Sequence, residues 1–252
     1  KYFVSDVLND LPKTTPGAKI EGKNKYTKPA NRYLQDSNIR DEGFDILTQH
    51  ETRPHNDRDR EIYKEAILAW DTRKERLCYK ELSTRRSDLI THKNTTSFTN
   101  RFNVIKADEK ASHTILAHMA MDGHYYIHPD IKQLRSLSIR EAARLQSFPD
   151  DFYFEGPRTA IFRQIGNAVP PKMAEQIAKK IKSSVTDSDE QARIYFDRSE
   201  KPGVSNLLTL QSVATGKSID ELVPSYEGKM YGHLKVDTAD AVVAMLEPVQ
   251  AR

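Results

Sequence analysis

The sequence predicts a mixed α/β chain, loop-rich and β-leaning over roughly its first half and all-α at its C-terminal end. Three observations predict it. Residues 1–60 break short apolar clusters such as Tyr2-Phe3-Val4 and Ile46-Leu47 with turn formers such as Pro16-Gly17. Between 98 and 128, the runs FTNRFNVI, SHTILAHMA and HYYIH are rich in β-branched and aromatic residues. From Met173, apolar residues recur every four positions through Ile177, Ile181 and Val185, the spacing of one helical face.

Bulk composition sets the limits on function. The 252 residues are 37% hydrophobic, polar but foldable. Thirty-nine Lys and Arg against 36 Asp and Glu leave a formal charge of +3, which permits a polyanionic partner without demanding one. A single cysteine excludes an internal disulfide, a Cys-rich zinc site and a Cys-x-x-Cys redox pair, and makes a reducing cytoplasm the default. No apolar run approaches the length of a membrane span, and no charged start leads into an apolar core. A soluble, cytoplasmic chain with no membrane partner is expected.

Along the chain, DRDREIYKEAILAW (57–70) sets Ile62, Ala66 and Trp70 on one face with Ile67 beside them, behind Asp57 and Asp59, and so predicts a helix. The Asp122-Gly123 pair between two β-rich runs predicts a hairpin. SIREAARLQSF opens with Ser138 three residues before Glu141, a capping box that starts a short helix, and Pro149 ends it. Pro170-Pro171 starts the striped helix, expected to run to about Ser184, where Thr186, Asp187 and Ser188 favour local side-chain bonds instead. NLLTLQSVATG and DTADAVVAMLEPVQ predict two more helices, the first stopped at Gly216 and the second closing against Pro248.

Two stretches are specific enough to compare with a family. SLSIREAARLQSFPDDF (136–152) and RQIGNAVPP (163–171) resemble the ninth and tenth motifs of bacterial DNA cytosine-5 methyltransferases, and the chain from Lys1 to about Ile181 resembles the C-terminal half of those enzymes. SDVLNDLP (5–12), HETRPHNDRDREIYK (50–64) and ASHTILAHMAMDGHYYIHPD (111–130) are similar to the target-recognition region of one branch, which usually has Pro where Ala111 stands and Asn where Gln49 stands. From about 178 a second resemblance begins. KKIKSSVTDSD, KPGVSNLL, TGKSIDEL, YEGKMYGHLK and LEPVQ resemble the C-terminal part of tryptophanyl-tRNA synthetase, which usually has Gly where Met230 stands. Two unrelated enzymes thus look spliced within about residues 175–184, on a helix that each possesses. The organisation expected is a target-recognition-like region over 1–130, a motif-bearing segment with its closing helix over 131–183, and a helical segment over 184–252. The first two would make a partial methyltransferase fold: the recognition region plus the C-terminal helix of the cofactor domain.

The resemblance implies a chemistry and shows what is missing from it. The family flips its target base out of the duplex and adds a cysteine thiolate to it before methyl transfer from S-adenosylmethionine. The Pro-Cys-Gln and Glu-Asn-Val motifs and the Gly-rich cofactor loop do not occur in these residues. Cys78 lies in ERLCYKEL, which reads as a partly buried small side chain, so no catalytic residue is assigned. The tenth motif implies Asn167 and Ala168 as one wall of an S-adenosylmethionine pocket completed by a second chain; a tight turn ahead of a Pro-started helix stays open as the structural reading. Thr114 and Ile115 fall where the family places a Thr-aliphatic pair near the flipped base. Arg85, Arg86, Lys93, Arg101 and Lys106 form a phosphate-facing set or a solvated surface, both readings remaining open. Arg140 and Arg144, four apart, pair with Glu141 and Asp150 or support the recognition region, and the structural role is the one favoured. His113, His118, His124 and His128 lack a Cys or carboxylate at ligand spacing, and no metal site is assigned. The second resemblance brings neither the His-x-Gly-His nor the Lys-Met-Ser-Lys-Ser motif, so no aminoacylation is expected.

The function expected is the DNA-recognising, cofactor-pocket-completing half of a DNA (cytosine-5-)-methyltransferase, inactive alone. Its partners would be double-stranded DNA and a complementing methyltransferase N-terminal subunit. Three alternatives stand beside it: a stand-alone DNA-binding module, a synthetase-derived tRNA-binding fragment, and a chimeric reading frame with no selected function.

Overall fold

The computed structural model of the chain describes residues 2–91, 101–187 and 192–251, so Lys93, the FTN start of the first strand-like run, and Ser188 and Asp189 lie outside the described residues. The chain divides into two units, Lys1–Asn167 and Ala168–Arg252. The division falls ahead of the striped helix. Among the described residues no helix is long and apolar enough to cross a membrane.

In the first unit the β structure is small: strands β1 (Lys19–Lys23) and β2 (Ile46–Glu51) pair antiparallel, with a bulge between Ile20 and Gly22. Short helix α1 (Ser5–Leu8) precedes β1 and α2 (Arg32–Asp36) lies between the strands in sequence, the second capped by Asn31, whose side chain accepts from Leu34 N. Helix α3 (Asp57–Arg73) starts where expected because the Asn56 side chain accepts from Asp59 N, and it stops at Lys74, which takes a left-handed φ of 59°. Its inner face buries Ile62, Tyr63, Ala66 and Ile67 against Leu77, Leu89, Phe102, Val104 and Ile127, and against Tyr79 and Leu82 of α4 (Tyr79–Arg85). Each Ile, Leu, Val or Phe side chain among them contributes about 1.5–3 kcal/mol on burial. Trp70 sits half-exposed at the edge of that face.

The hairpin expected at Asp122-Gly123 is absent. The described part of the β-leaning region, from 101 to 128, forms isolated bridges: Val104 with Ile127 in parallel, and Ile127 with Ser136 antiparallel. A hairpin requires antiparallel neighbours, and here Ile105 N donates to Ile127 O while Ile127 N donates to Asn103 O, the alternation of a parallel pair. SHTILAHMA contributes a 3-10 turn at Ala117–Ala120 in place of a strand. Helix α5 (Ile139–Leu145) carries the expected capping box, with both the Ser138 and Glu141 bonds made. Helix α6 (Arg158–Asn167), which the sequence reading did not anticipate, packs against the 3-10 turn.

The second unit is helical. Helix α7 (Pro171–Lys182) starts at the proline as expected but ends two residues short of Ser184. The hydroxyls of Ser183 and Ser184 turn back to Lys180 O and Ile181 O. Asp187 then caps helix α8 (Pro202–Thr215), accepting from Gly203 N and Val204 N. Val185 therefore leaves the stripe and is 91% exposed, while Ile181 is buried at 9%. Gly216 stops α8 at a left-handed φ of 73°, as expected. After the single turn of α9 (Ile219–Leu222), helix α10 (Tyr231–Ala251) begins earlier than expected and runs through Pro248. Its early turns bury Leu234 and Ala239 with Ile181, Val204, Leu207, Leu208, Leu222 and Tyr226, and a proline in the last turns forfeits only one helical bond.

Candidate nucleic-acid interface

The site rests on buried arginines that hold loops together. Arg135 donates from Nη1 and Nη2 to the two carboxylate oxygens of Glu141, each at 2.7 Å, and from Nε to Thr14 O. Arg144 reaches Asp150 through Nε and Nη2 and Asp10 through Nη1, and also bonds Val7 O. Arg140 donates to Thr48 O, Thr48 Oγ1, Pro149 O and Phe152 O. Arg140 and Arg144 are thus structural, as expected, but Glu141 is paired with Arg135. Burial would raise the Glu141 carboxyl; Arg135 and then His128 overcome that and hold it well below the usual range. Such charges persist in a protein interior only when paired and hydrogen-bonded.

On this frame the structure brings together two sets of sequence-predicted residues. Ile115 points into the core and Thr114 is exposed. The buried Tyr126 hydroxyl fixes their backbone, accepting from Leu116 N and donating to Thr114 O. The following 3-10 turn is pressed against the last turn of α6. A Cβ at Gly166 would lie 2.3 Å from Ala117 N and Leu116 C, where no side chain fits. Gly166 is therefore inside a helix, not at a turn, and its reason is close backbone approach. Gln146 Nε2 anchors the same turn of α6 through Ile165 O, and Asn167 closes the helix with its side chain exposed. Ala168, the next residue, is buried. At its far end the 3-10 turn is held by Arg53, whose guanidinium donates to Met119 O and Ala120 O.

The described basic residues already have carboxylates beside them. Arg85 lies 3.3 Å from Glu65, Arg86 3.0 Å from Asp88, Arg101 3.8 Å from Asp122 and Lys106 3.2 Å from Glu109. A phosphate would displace these partners. Cys78 is exposed at the start of α4, not partly buried, because the neighbouring Leu77 and Tyr79 take the inward positions. Among the histidines, His128 is buried 3.5 Å from Glu141, His124 bonds Tyr63, His113 bonds Tyr125 O, and His118 is exposed. The structural roles of Gly123, Gly166, Arg53 and Tyr63 are not legible in the sequence. Each acts through a neighbour more than seven positions away, for which a single sequence carries no signal.

The comparisons extend this picture. The family model for C-5 cytosine-specific DNA methylase matches residues 3–183, ending one residue past α7. A type II methyltransferase of Bacillus paralicheniformis is 51% identical over 190 residues, covering 71% of this chain and 40% of the relative. The tryptophan–tRNA ligase of Enterococcus faecalis is 55% identical over 76 residues, 30% of this chain and 22% of the relative. That of Corynebacterium efficiens is 57% identical over 75 residues, 30% of this chain and 21% of the relative. The chain therefore spans less than half the length of each of these relatives. With the family match covering α1 to α7 and both quoted motifs, the chain belongs to the C-5 cytosine-specific DNA methylase family.

Proposed function

We propose that this chain is the DNA-recognising part of a DNA (cytosine-5-)-methyltransferase, which completes the S-adenosylmethionine pocket of a second chain and is inactive alone. The observation that carries this reading is the Gly166 contact. The contact presses Leu116 and Ala117 against α6, and so couples Thr114 to Asn167, which the family resemblance sets beside the flipped base and the cofactor respectively. Asn167 can supply part of one wall through its exposed amide, whereas the buried Ala168 offers no surface to it. With no Gly-rich loop among these residues, they do not by themselves fit the cofactor. Double-stranded DNA is the partner, met by Thr114 and by Arg85, Arg86 and Arg101 once the carboxylates beside them are displaced, while the buried Ile115 holds Thr114 from the core side. A reducing cytoplasm, which keeps Cys78 a thiol, accords with this reading.

The test is transfer of labelled methyl from S-adenosylmethionine to duplex DNA, by the chain alone and mixed with the Pro-Cys-Gln-bearing N-terminal part of the Bacillus paralicheniformis relative. Incorporation only in the mixture is expected. Incorporation by the lone chain, abolished by Cys78→Ala, overturns the reading, and so does a mixture that stays inactive while the intact relative methylates. The identity to tryptophan–tRNA ligases favours a second reading of the tail alone, as a helical unit kept from a tRNA-contacting protein.

A further inference from the structure

A chain of hydrogen bonds in the first unit fixes where His124 carries its proton. It starts at the backbone N–H of Ser136, an unambiguous donor, which bonds His55 Nε2 at 3.2 Å. His55 Nε2 is therefore an acceptor, and the His55 proton sits on Nδ1, facing the Tyr63 hydroxyl at 3.3 Å. A Tyr63 hydroxyl that receives that bond has its one hydrogen left for His124 Nδ1, 2.8 Å away, which is the arrangement that leaves no buried donor unpaired. With Nδ1 accepting, the neutral His124 ring bears its hydrogen on Nε2.

Gly123 shows that this arrangement is built in. A Cβ there would lie 2.3 Å from both Cβ and Oγ of Ser136, so only glycine lets Ser136 reach His55. The relay is buried at Ser136 and Tyr63 and partly exposed at His124, which follows the exposed Met121 and feels the charges of Asp122 and Arg101. Holding a phosphate would ask for charge, which Arg101 supplies already. A neutral ring with its proton locked on one nitrogen does something a charge cannot: it distinguishes an acceptor from a donor.

We propose that His124 is a base-reading residue, presenting a fixed Nε2–H donor to the keto oxygen of guanine (O6) or thymine (O4) in duplex DNA. Tyr63, His55 and Ser136 are its positioning residues. Adenine and cytosine carry amino donors at the corresponding place in the major groove and are refused. The inference rests on the DNA-recognition reading above and adds to it the residue and the feature read.

Two measurements on the full chain test it. Imidazole 15N shifts should show His124 protonated at Nε2 in the wild type and as a tautomer mixture in Tyr63→Phe; a wild-type proton on Nδ1 overturns the proposal without reference to DNA. In selection from a randomised duplex pool, the wild type should favour keto over amino bases about tenfold at one position, the discrimination one hydrogen bond supplies. Tyr63→Phe and His124→Gln, whose amide can turn to offer either group, should lose that preference while pooled affinity stays within about twofold. His124→Gln leaves the buried members intact, so it guards against a folding defect in Tyr63→Phe. An unchanged preference, or uniform weakening with a shallower salt dependence as for a phosphate contact, overturns the proposal. A wild type that binds the pool but enriches no sequence overturns it while leaving DNA binding standing; one that does not bind at all removes the DNA reading as well.

Discussion

Arg144 Nη1 donates to the Asp10 carboxylate at 2.5 Å, joining two fully buried residues 134 positions apart in the sequence. Arg40 meets the same carboxylate at 2.6 Å, so Asp10 balances two guanidiniums. Replacing Asp10 with Ala should cost about 3–5 kcal/mol in urea unfolding, because it leaves buried positive charge under-compensated. A loss below about 1 kcal/mol would show that Asp150 alone suffices for Arg144.

Gly166→Ala tests the contact that unites Thr114 with Asn167. The added methyl meets backbone, which cannot swing aside, so a loss of about 1–3 kcal/mol is expected, with increased amide exchange over Thr114–Ala117. A neutral outcome with unchanged exchange would mean that α6 and the 3-10 turn separate easily.

Acid should weaken the first unit well before its carboxylates titrate. Burial pushes His55 down to about 3, helped by His124 and Arg53, and pushes His128 down to about 4 against the pull of Glu141. Both folded values lie below the ordinary value near 6.5, so the unfolded chain takes up these protons first. Stability is whole above about pH 6.5 and falls as pH drops toward 4 and 3, by on the order of 2 kcal/mol for each histidine at pH 5. The check is the urea midpoint at pH 7.5 and pH 5; equal midpoints would show that neither ring is held neutral.

Ile181 is the residue of α7 that joins the core of the second unit, packed with Val204, Leu208 and Leu234. Ile181→Ala should cost that unit about 2–5 kcal/mol, read from its thermal or urea transition. Val185→Ala, fully in solvent, should change it by less than about 0.5 kcal/mol. Equal effects would put Ile181 at the surface.

Replacing Arg85, Arg86 and Arg101 together should weaken binding to all duplexes alike and flatten its salt dependence, since phosphate contacts release counterions whatever the sequence. Fluorescence anisotropy across a salt series reads both quantities. If affinity and slope are unchanged, the carboxylates beside these arginines hold them as structural pairs.

The sequence by itself determined the features that depend on neighbours within a few positions. The Ser138–Glu141 capping box, the Pro171 start of α7, the Gly216 stop of α8 and the periodicity of α3 are of this kind, and each is made in the structure. The two quoted motifs likewise carried the family. Tertiary structure decided the rest, because it hung on contacts between distant residues. The β-rich composition of 101–128 became two isolated bridges, one parallel and one antiparallel, and a 3-10 turn. Gly123 looked like half of a hairpin signal and Gly166 like a turn residue. Both are glycine because Ser136 in one case and the Leu116–Ala117 backbone in the other occupy the space a Cβ needs. Arg135, Arg140 and Arg144, charged residues that composition alone would put at a surface, are interior because each finds its acceptors on loops that only the folded chain brings within reach.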